Sequence, residues 1–273
     1  NEGWERDVEV TEPTEVSLSK PEGWPAMHTL SAWELLNVWE QGWSQPAAQR
    51  ALLLLSAAHP DTPPVVLAEL CVGQRDSRLL ALREQIFGPH LASLTACPGC
   101  GERLEFAVAV ANLLAGNGQA GEELGNAFSL DAAGYEVRFR LPNSLDLLAV
   151  ARCQDPGAAR QLLLERCLLS IRRHGDDTDL AQIPTEVVEA TVKRMAQADP
   201  QADVQLDLTC PACDHHWQAV LDIGSFLWSE LDTWAQRIVR DVHVLASAYG
   251  WSEADVLALS PWRRQMYLEM IGR

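Results

Sequence analysis

Apolar residues recur every three to four positions through most of the chain, and strict alternation interrupts that helical period in only a few short stretches. Ser31 and Glu34 have the spacing of a capping box, and Leu35, Leu36, Val38, Trp39 and Trp43 continue the helix they open until Gly42 and Pro46. A second helix is expected over about 46–58, stopping at His59-Pro60. A third opens near Asp61 with prolines in its first turn. The fourth covers about 74–87, with Leu79, Leu80, Leu82, Ile86 and Phe87 apolar, Arg75, Asp76, Arg78, Arg83 and Glu84 polar, and Gly88-Pro89 as terminator. "YEVRFRLP" at 135–142 alternates as a strand does, with "NAFSLDAAG" before it as partner. Helical patterns return over about 144–152, 156–174 and 184–198. The longest begins after Asp222, placing Phe226, Leu227, Leu231, Trp234, Ile238, Val242 and Leu245 on one face until Gly250. Ser252 with Asp255 caps a short helix, and Ser260 with Pro261 caps the last.

Two stretches break this helical reading in the same way. Residues 93–104, "SLTACPGCGERL", and 206–217, "LDLTCPACDHHW", align Cys97 with Cys210, Pro98 with Pro211 and Cys100 with Cys213. Each reads as a strand, a Cys-Pro-x-Cys knuckle, a return strand and a helix start, which makes an internal repeat. Four thiolates from two such hairpins fit one tetrahedral zinc site, a split zinc ribbon with Cys97, Cys100, Cys210 and Cys213 as ligands. Residues 101–209 would then be largely an insertion, a far longer spacer than ordinary ribbons carry. Two other readings stay open: a pair of reduced hairpins without metal, and redox chemistry. Neither pair opens a helix after a strand, as a thioredoxin-like site would. His215 and His216 adjoin the second knuckle and are expected to be exposed on its turn. Cys71, Cys153 and Cys167 fall on expected helices as small apolar residues.

The expected fold is therefore mainly α with small β elements: a helical body, a split four-Cys zinc ribbon and a small β-hairpin. Along the chain this gives an acidic, extended arm over 1–28, a helical subdomain over 29–92 and the first knuckle over 93–112. An inserted β-hairpin with helices follows over 113–204, then the second knuckle over 205–224 and a helical ending over 225–273. The Gly-rich acidic stretch "AGNGQAGEELGNA" is expected to be a loop.

Composition narrows the function. A formal charge of −17 disfavours nucleic acid and anionic membranes, whose phosphates are bound chiefly by Lys and Arg. No apolar run is long enough to cross a bilayer, and nothing in the first residues reads as a signal peptide. A cytoplasmic metal site is thus expected over a disulfide framework. Of 21 basic residues only Lys20 and Lys193 are lysines, and the chain carries ten tryptophans; Arg and Trp are the residues enriched at protein interfaces. There is no phosphate loop, dinucleotide fingerprint, His-Glu-x-x-His or Gly-x-Ser-x-Gly, and no catalytic residue is assigned.

The ending "DVHVLASAYGWSEADVLALSPWRRQMYLEMI" resembles the closing signature of the T-even-type phage baseplate hub protein or baseplate hub assembly chaperone family of contractile-tailed phages and phage-like contractile injection systems. The resemblance extends to "RALLLLSAAHP", "GQRDSRLLALREQIFG", "VRFRLPNSLDLLAV" and both knuckles, and so spans most of 47–271. It implies a non-enzymatic baseplate component or assembly chaperone, cytoplasmic or incorporated into a phage-like particle. The partners it implies are baseplate, tube, spike or tape-measure proteins. Trp251, Trp262, Arg263 and Arg264 are the candidate contact residues, set against the plainer reading that the tryptophans pack the last helix and the arginines pair with acids. A zinc-ribbon nucleic-acid module and an enzyme built on the inserted region are the alternatives.

Overall fold

The structure, a computed structural model, describes residues 26–114 and 127–272. The acidic arm, apart from residues 26–28, and most of the Gly-rich loop lie outside these residues. The chain runs α1 (Ala32–Gly42), α2 (Ala47–Ala58), α3 (Pro64–Glu69), α4 (Val72–Phe87), β1 (His90–Ala96), β2 (Arg103–Ala109), α5 (Val110–Leu113), β3 (Phe128–Ala132) and β4 (Tyr135–Phe139). It continues through α6 (Ser144–Val150), α7 (Pro156–Cys167), β5 (Leu168–Arg173), β6 (Asp176–Asp177), α8 (Thr185–Ala198), β7 (Gln205–Thr209), β8 (His216–Val220), α9 (Ile223–Tyr249), α10 (Glu253–Leu257) and α11 (Pro261–Ile271). This is a mainly helical fold with small antiparallel sheets.

One large core holds the body together. Leu54 and Leu55 of α2, Leu67 of α3, Leu79, Leu80 and Leu82 of α4, and Leu227 and Leu231 of α9 are all fully buried in it. Leu91 and Val108 of the first hairpin and Leu206 and Leu208 of the second join the same cluster. Each buried leucine contributes roughly 1.5–3 kcal/mol of transfer free energy, so both hairpins are anchored by burial before any metal is considered. The α1 capping box forms as its sequence requires: Glu34 N–H donates to Ser31 Oγ and Ser31 N–H to Glu34 Oε2.

α1 crosses α9 closely because Gly42 has no side chain. The Trp228 ring lies over it, under the Arg50 guanidinium at 4.6 Å. A Cβ at position 42 would sit 2.7 Å from Trp228 Cζ3 and nearer still to Cη2. Gly42→Ala is therefore expected to lower stability by about 1–3 kcal/mol through overpacking, although alanine is the better helix former. A urea melt monitored by tryptophan fluorescence measures it; a neutral or stabilised variant would mean the ring relaxes freely.

Two details depart from the pattern expected on α4 and after α7. Arg75, Asp76 and Arg83 lie on the polar stripe of α4, yet all three are buried. Arg83 donates to both carboxylate oxygens of Glu230 on α9, at 2.9 and 2.7 Å, and Arg75 Nε donates to Asp76 Oδ1 at 2.7 Å. The Arg83–Glu230 pair joins α4 to α9, while Arg75 and Asp76 pair within α4. The helix expected over 156–174 ends at Cys167 and the chain turns into β5, which pairs with β4 so that Val137 faces Ile171. A short apolar run fits either period; here His174 and Gly175, at φ +54° and +94°, supply the turn that makes strands the better solution.

The hairpin expected near 127–142 is thus part of a four-stranded sheet, β3-β4-β5-β6, closed at its first turn by Ala133 and Gly134, both at positive φ. Its buried face carries Tyr135, Val137, Phe139 and Ile171, packed against Cys167, Val187 and Met195.

Candidate metal centre

Each knuckle is built by backbone geometry that its sequence encodes. In the first, Cys97 N–H donates to Glu102 O at 2.8 Å and Gly101 N–H donates to Cys97 O at 2.8 Å. In the second, Cys210 N–H donates to His215 O and Asp214 N–H to Cys210 O, both at 2.9 Å. The residue after the second cysteine is left-handed in each, Gly101 at φ +79° and Asp214 at φ +54°, a conformation that Gly and Asp tolerate best. That glycine or aspartate directly after the motif was the signal available in the sequence for a tight sulfur-bearing turn.

β1 pairs with β2 and β7 with β8 in register, so the two turns project alike and meet. Cys97 Sγ lies 3.7 Å from Cys213 Sγ, Cys100 Sγ lies 3.6 Å from Cys210 Sγ, and all four sulfurs fall within 4.8 Å of one another. A tetrahedral centre with metal–sulfur bonds near 2.3 Å needs sulfurs about 3.8 Å apart, so the set fits a four-coordinate metal. The first cysteine of each pair is buried, Cys97 at 2 % and Cys210 at 0 % exposure, while Cys100 and Cys213 are exposed. Cys97, Cys210 and Leu104 form a small apolar cluster under Trp217.

The acid–base setting favours a cation. Burial works to raise the Cys97 thiol, but N–H donation from Cys100 and Gly99 and the neighbouring thiols bring it down to about 7. The Gly99 N–H is 3.3 Å from its sulfur. Cys213, despite the backbone donor at His215, is pushed up to about 12, chiefly by its contact with Cys100. One thiolate forms readily and a later one is strongly opposed; a divalent cation at the centre removes that opposition.

His215 and His216 are exposed and stand outside the sulfur set. The His215 ring covers Gly99, where a Cβ would lie 3.1 Å from its Cγ, and stacks on Trp217, while His216 Nδ1 is 2.8 Å from Thr209 Oγ1. His215 thus packs one knuckle onto the other, a contact the sequence reading did not anticipate. Of the other cysteines, Cys167 closes α7 and is buried; Cys71 precedes α4 and Cys153 follows α6, both half-buried rather than on helices. Burial pushes the Cys71 thiol up to about 12 and that of Cys167 up to about 11, so both stay protonated.

The four C-terminal candidates divide. Trp251 is half-buried, stacked on Tyr249 at 4.7 Å and edge-on to Tyr267 at 4.9 Å, which fastens α11 to the end of α9. Arg264 is 6 % exposed, with its Nε 3.7 Å from Asp241 Oδ2 of α9. Both serve packing within the chain. Trp262, 71 % exposed, and Arg263 point outward.

No helix among the described residues is long and apolar enough to cross a membrane. Comparison with curated proteins and with solved structures finds no match for the chain. Comparison with family models finds one, described as T4 bacteriophage base plate protein, over residues 54–228. That span holds both knuckles, the inserted sheet with α6 to α8, and α3 to α5 of the helical body, and ends within the first turns of α9. Since it covers more than half of the sequence, the chain belongs to the T4 bacteriophage base plate protein family.

Proposed function

We propose that the chain serves the building of the baseplate hub of a contractile phage tail or a phage-derived injection system, as a component or an assembly chaperone. It acts in the cytoplasm where such a particle is assembled, through protein–protein contacts and without a catalytic step. The observation that carries this reading is the outer face of α11. Trp262, Met266 and Met270, spaced by four residues, are 71 %, 37 % and 58 % exposed, with Arg263 beside them. Trp, Met and Arg are the residues that protein interfaces favour, and a helix presenting them in line fits a groove on a partner. Family membership supports the partner class: baseplate, tube, spike or tape-measure proteins. The charge of −17 supports a protein partner over nucleic acid.

The metal in this reading is zinc. Four sulfur ligands in a tetrahedron suit zinc and leave no open position for water or substrate, so the ion staples the two hairpins. The docking claim is tested by co-expressing the chain with the hub, tube, spike and tape-measure proteins of one particle. Trp262→Asp with Met270→Asp is expected to reduce capture of its partner at least about tenfold, the loss typical of an interface hot spot, with unchanged melting. Undiminished capture by the folded double variant would remove α11 from the interface.

A further inference from the structure

The contact between α11 and α9 is short of negative charge. Buried Arg264 has its Nε 3.7 Å from Asp241 Oδ2, and its Nη1 has no acceptor among the described residues. Burial works to lower the Arg264 pKa and Asp241 opposes it, while the charge of Arg237 acts with burial, which sets Arg237 near. Arg240 directly precedes Asp241, and Arg263 directly precedes Arg264. Arg237, Arg240 and Arg263 are exposed, and among the described residues none of the three has an ion pair or a side-chain hydrogen bond. The remaining acids of the two helices are engaged elsewhere. Glu230 accepts from Arg83, Asp232 from Trp39 Nε1 and Gln236 Nε2, and Glu269 from Gln265 Nε2. The junction thus carries positive charge that its own helices leave uncompensated. The formal charge of −17 does not decide what docks here, because charges beyond a Debye length of about 8 Å are screened at physiological salt.

We propose that Arg237, Arg240 and Arg263 bind the carboxylates of an acidic segment of the protein partner, whose apolar side chains lie against Trp262, Met266 and Met270. This rests on the docking reading of α11 and adds the chemistry of the segment that docks. The planar guanidinium fork pairs with a carboxylate through two N–H donors and gives up its hydration more readily than an ammonium does. An anion bound there also offsets the charge of Arg264 behind it, which Asp241 alone meets at long range. The apolar line begins at Trp262, the residue before Arg263, so one segment meets both features. A phosphate chain would meet the same arginines but brings little aliphatic surface for Met266 and Met270.

Two measurements test it, both on the full chain. The first needs no baseplate partner: fluorescent poly-L-glutamate is titrated against the protein in low salt. It is expected to bind saturably, at least tenfold more weakly to Arg240→Gln, Arg263→Gln, and without change to Arg152→Gln, Arg160→Gln, whose arginines are exposed outside α9 and α11. No binding to the unaltered protein, or equal binding to both variants, overturns the proposal. An oligothymidylate of equal charge that binds more tightly through Arg240 and Arg263 also overturns it, and gives the cluster to nucleic acid. The second is the co-expression capture, in which Arg240→Gln, Arg263→Gln is expected to hold at least tenfold less partner at physiological salt, with unchanged melting. Capture lost in Trp262→Asp, Met270→Asp but kept in the arginine variant overturns the acidic segment and leaves the docking of α11 standing. Capture kept in both overturns the two together.

Discussion

Replacing Cys210 with serine is expected to release the metal and lower the melting temperature by at least about 10 °C. The four-sulfur set exists only when residues on both sides of the 101–209 span are folded together, whereas the unfolded chain offers two separate pairs. Metal binding therefore acts as folding free energy by mass action. Structural zinc in small peptides contributes about 10–16 kcal/mol, and a partial loss of about 4 kcal/mol already moves the melt of a chain this size by about 10 °C. Cys210 is fully buried with Cys97 and Leu104 under Trp217, so serine also leaves a hydroxyl in an apolar pocket. Cys213→Ser, at an exposed position, is expected to release the metal with a smaller loss of stability. Cys153→Ser, outside the set, is expected to change neither. One zinc per chain by elemental analysis, and a chelator that reproduces the Cys210 effect, complete the pattern. Reduced protein that binds no metal yet melts unchanged would end the staple reading.

The four-cysteine cluster was legible because a repeated local motif needs no knowledge of the fold. Cys-Pro-x-Cys occurs twice with matching flanks, and only its pairing across 101–209 had to be inferred. Helices α1, α9, α10 and α11 were equally legible, since Ser31, Asp222, Ser252 and Ser260 each write the cap into three or four adjacent residues. What stayed hidden depends on distant partners. Nothing near Arg83 announces Glu230, so a buried ion pair looked like a solvated stripe. Nothing near Ile171 announces Val137, so a strand looked like the end of a helix. The C-terminal candidates divide for the same reason. Trp251 and Arg264 turn inward because Tyr249 and Asp241 wait on α9, and nothing in the local sequence around them distinguishes them from Trp262 and Arg263.

Asp146→Asn is expected to destabilise the fold by about 3 kcal/mol at neutral pH. Asp146 is fully buried and sits third in the capping box of α6, accepting from the Asn143 N–H at 3.0 Å. Its carboxylate also receives Arg140 at the end of β4, with Nη2 at 2.9 Å, and Arg166 near the end of α7, with Nε at 2.8 Å. One carboxylate thus joins three elements where the inserted sheet meets the helical body, and the strand-like contact of Cys71 with Asn143 carries that joint on to α4. Removing one partner of a buried pair costs about 3–5 kcal/mol; the two arginines are about one-third exposed and recover some hydration, which sets the lower figure. The pH dependence follows from the same contacts. Burial works to raise the Asp146 carboxyl, but the Arg140 hydrogen bonds, the Asn143 N–H and Arg166 hold it below the usual carboxylate range. A depressed folded value means the stabilisation is complete above the unfolded carboxyl value of about 4 and is lost as pH falls through the folded one. Urea melts of the two proteins should differ by a constant amount from pH 5 to 8 and converge in stronger acid. A gap that vanishes at neutral pH would show that the two guanidiniums hold the joint without their shared anion.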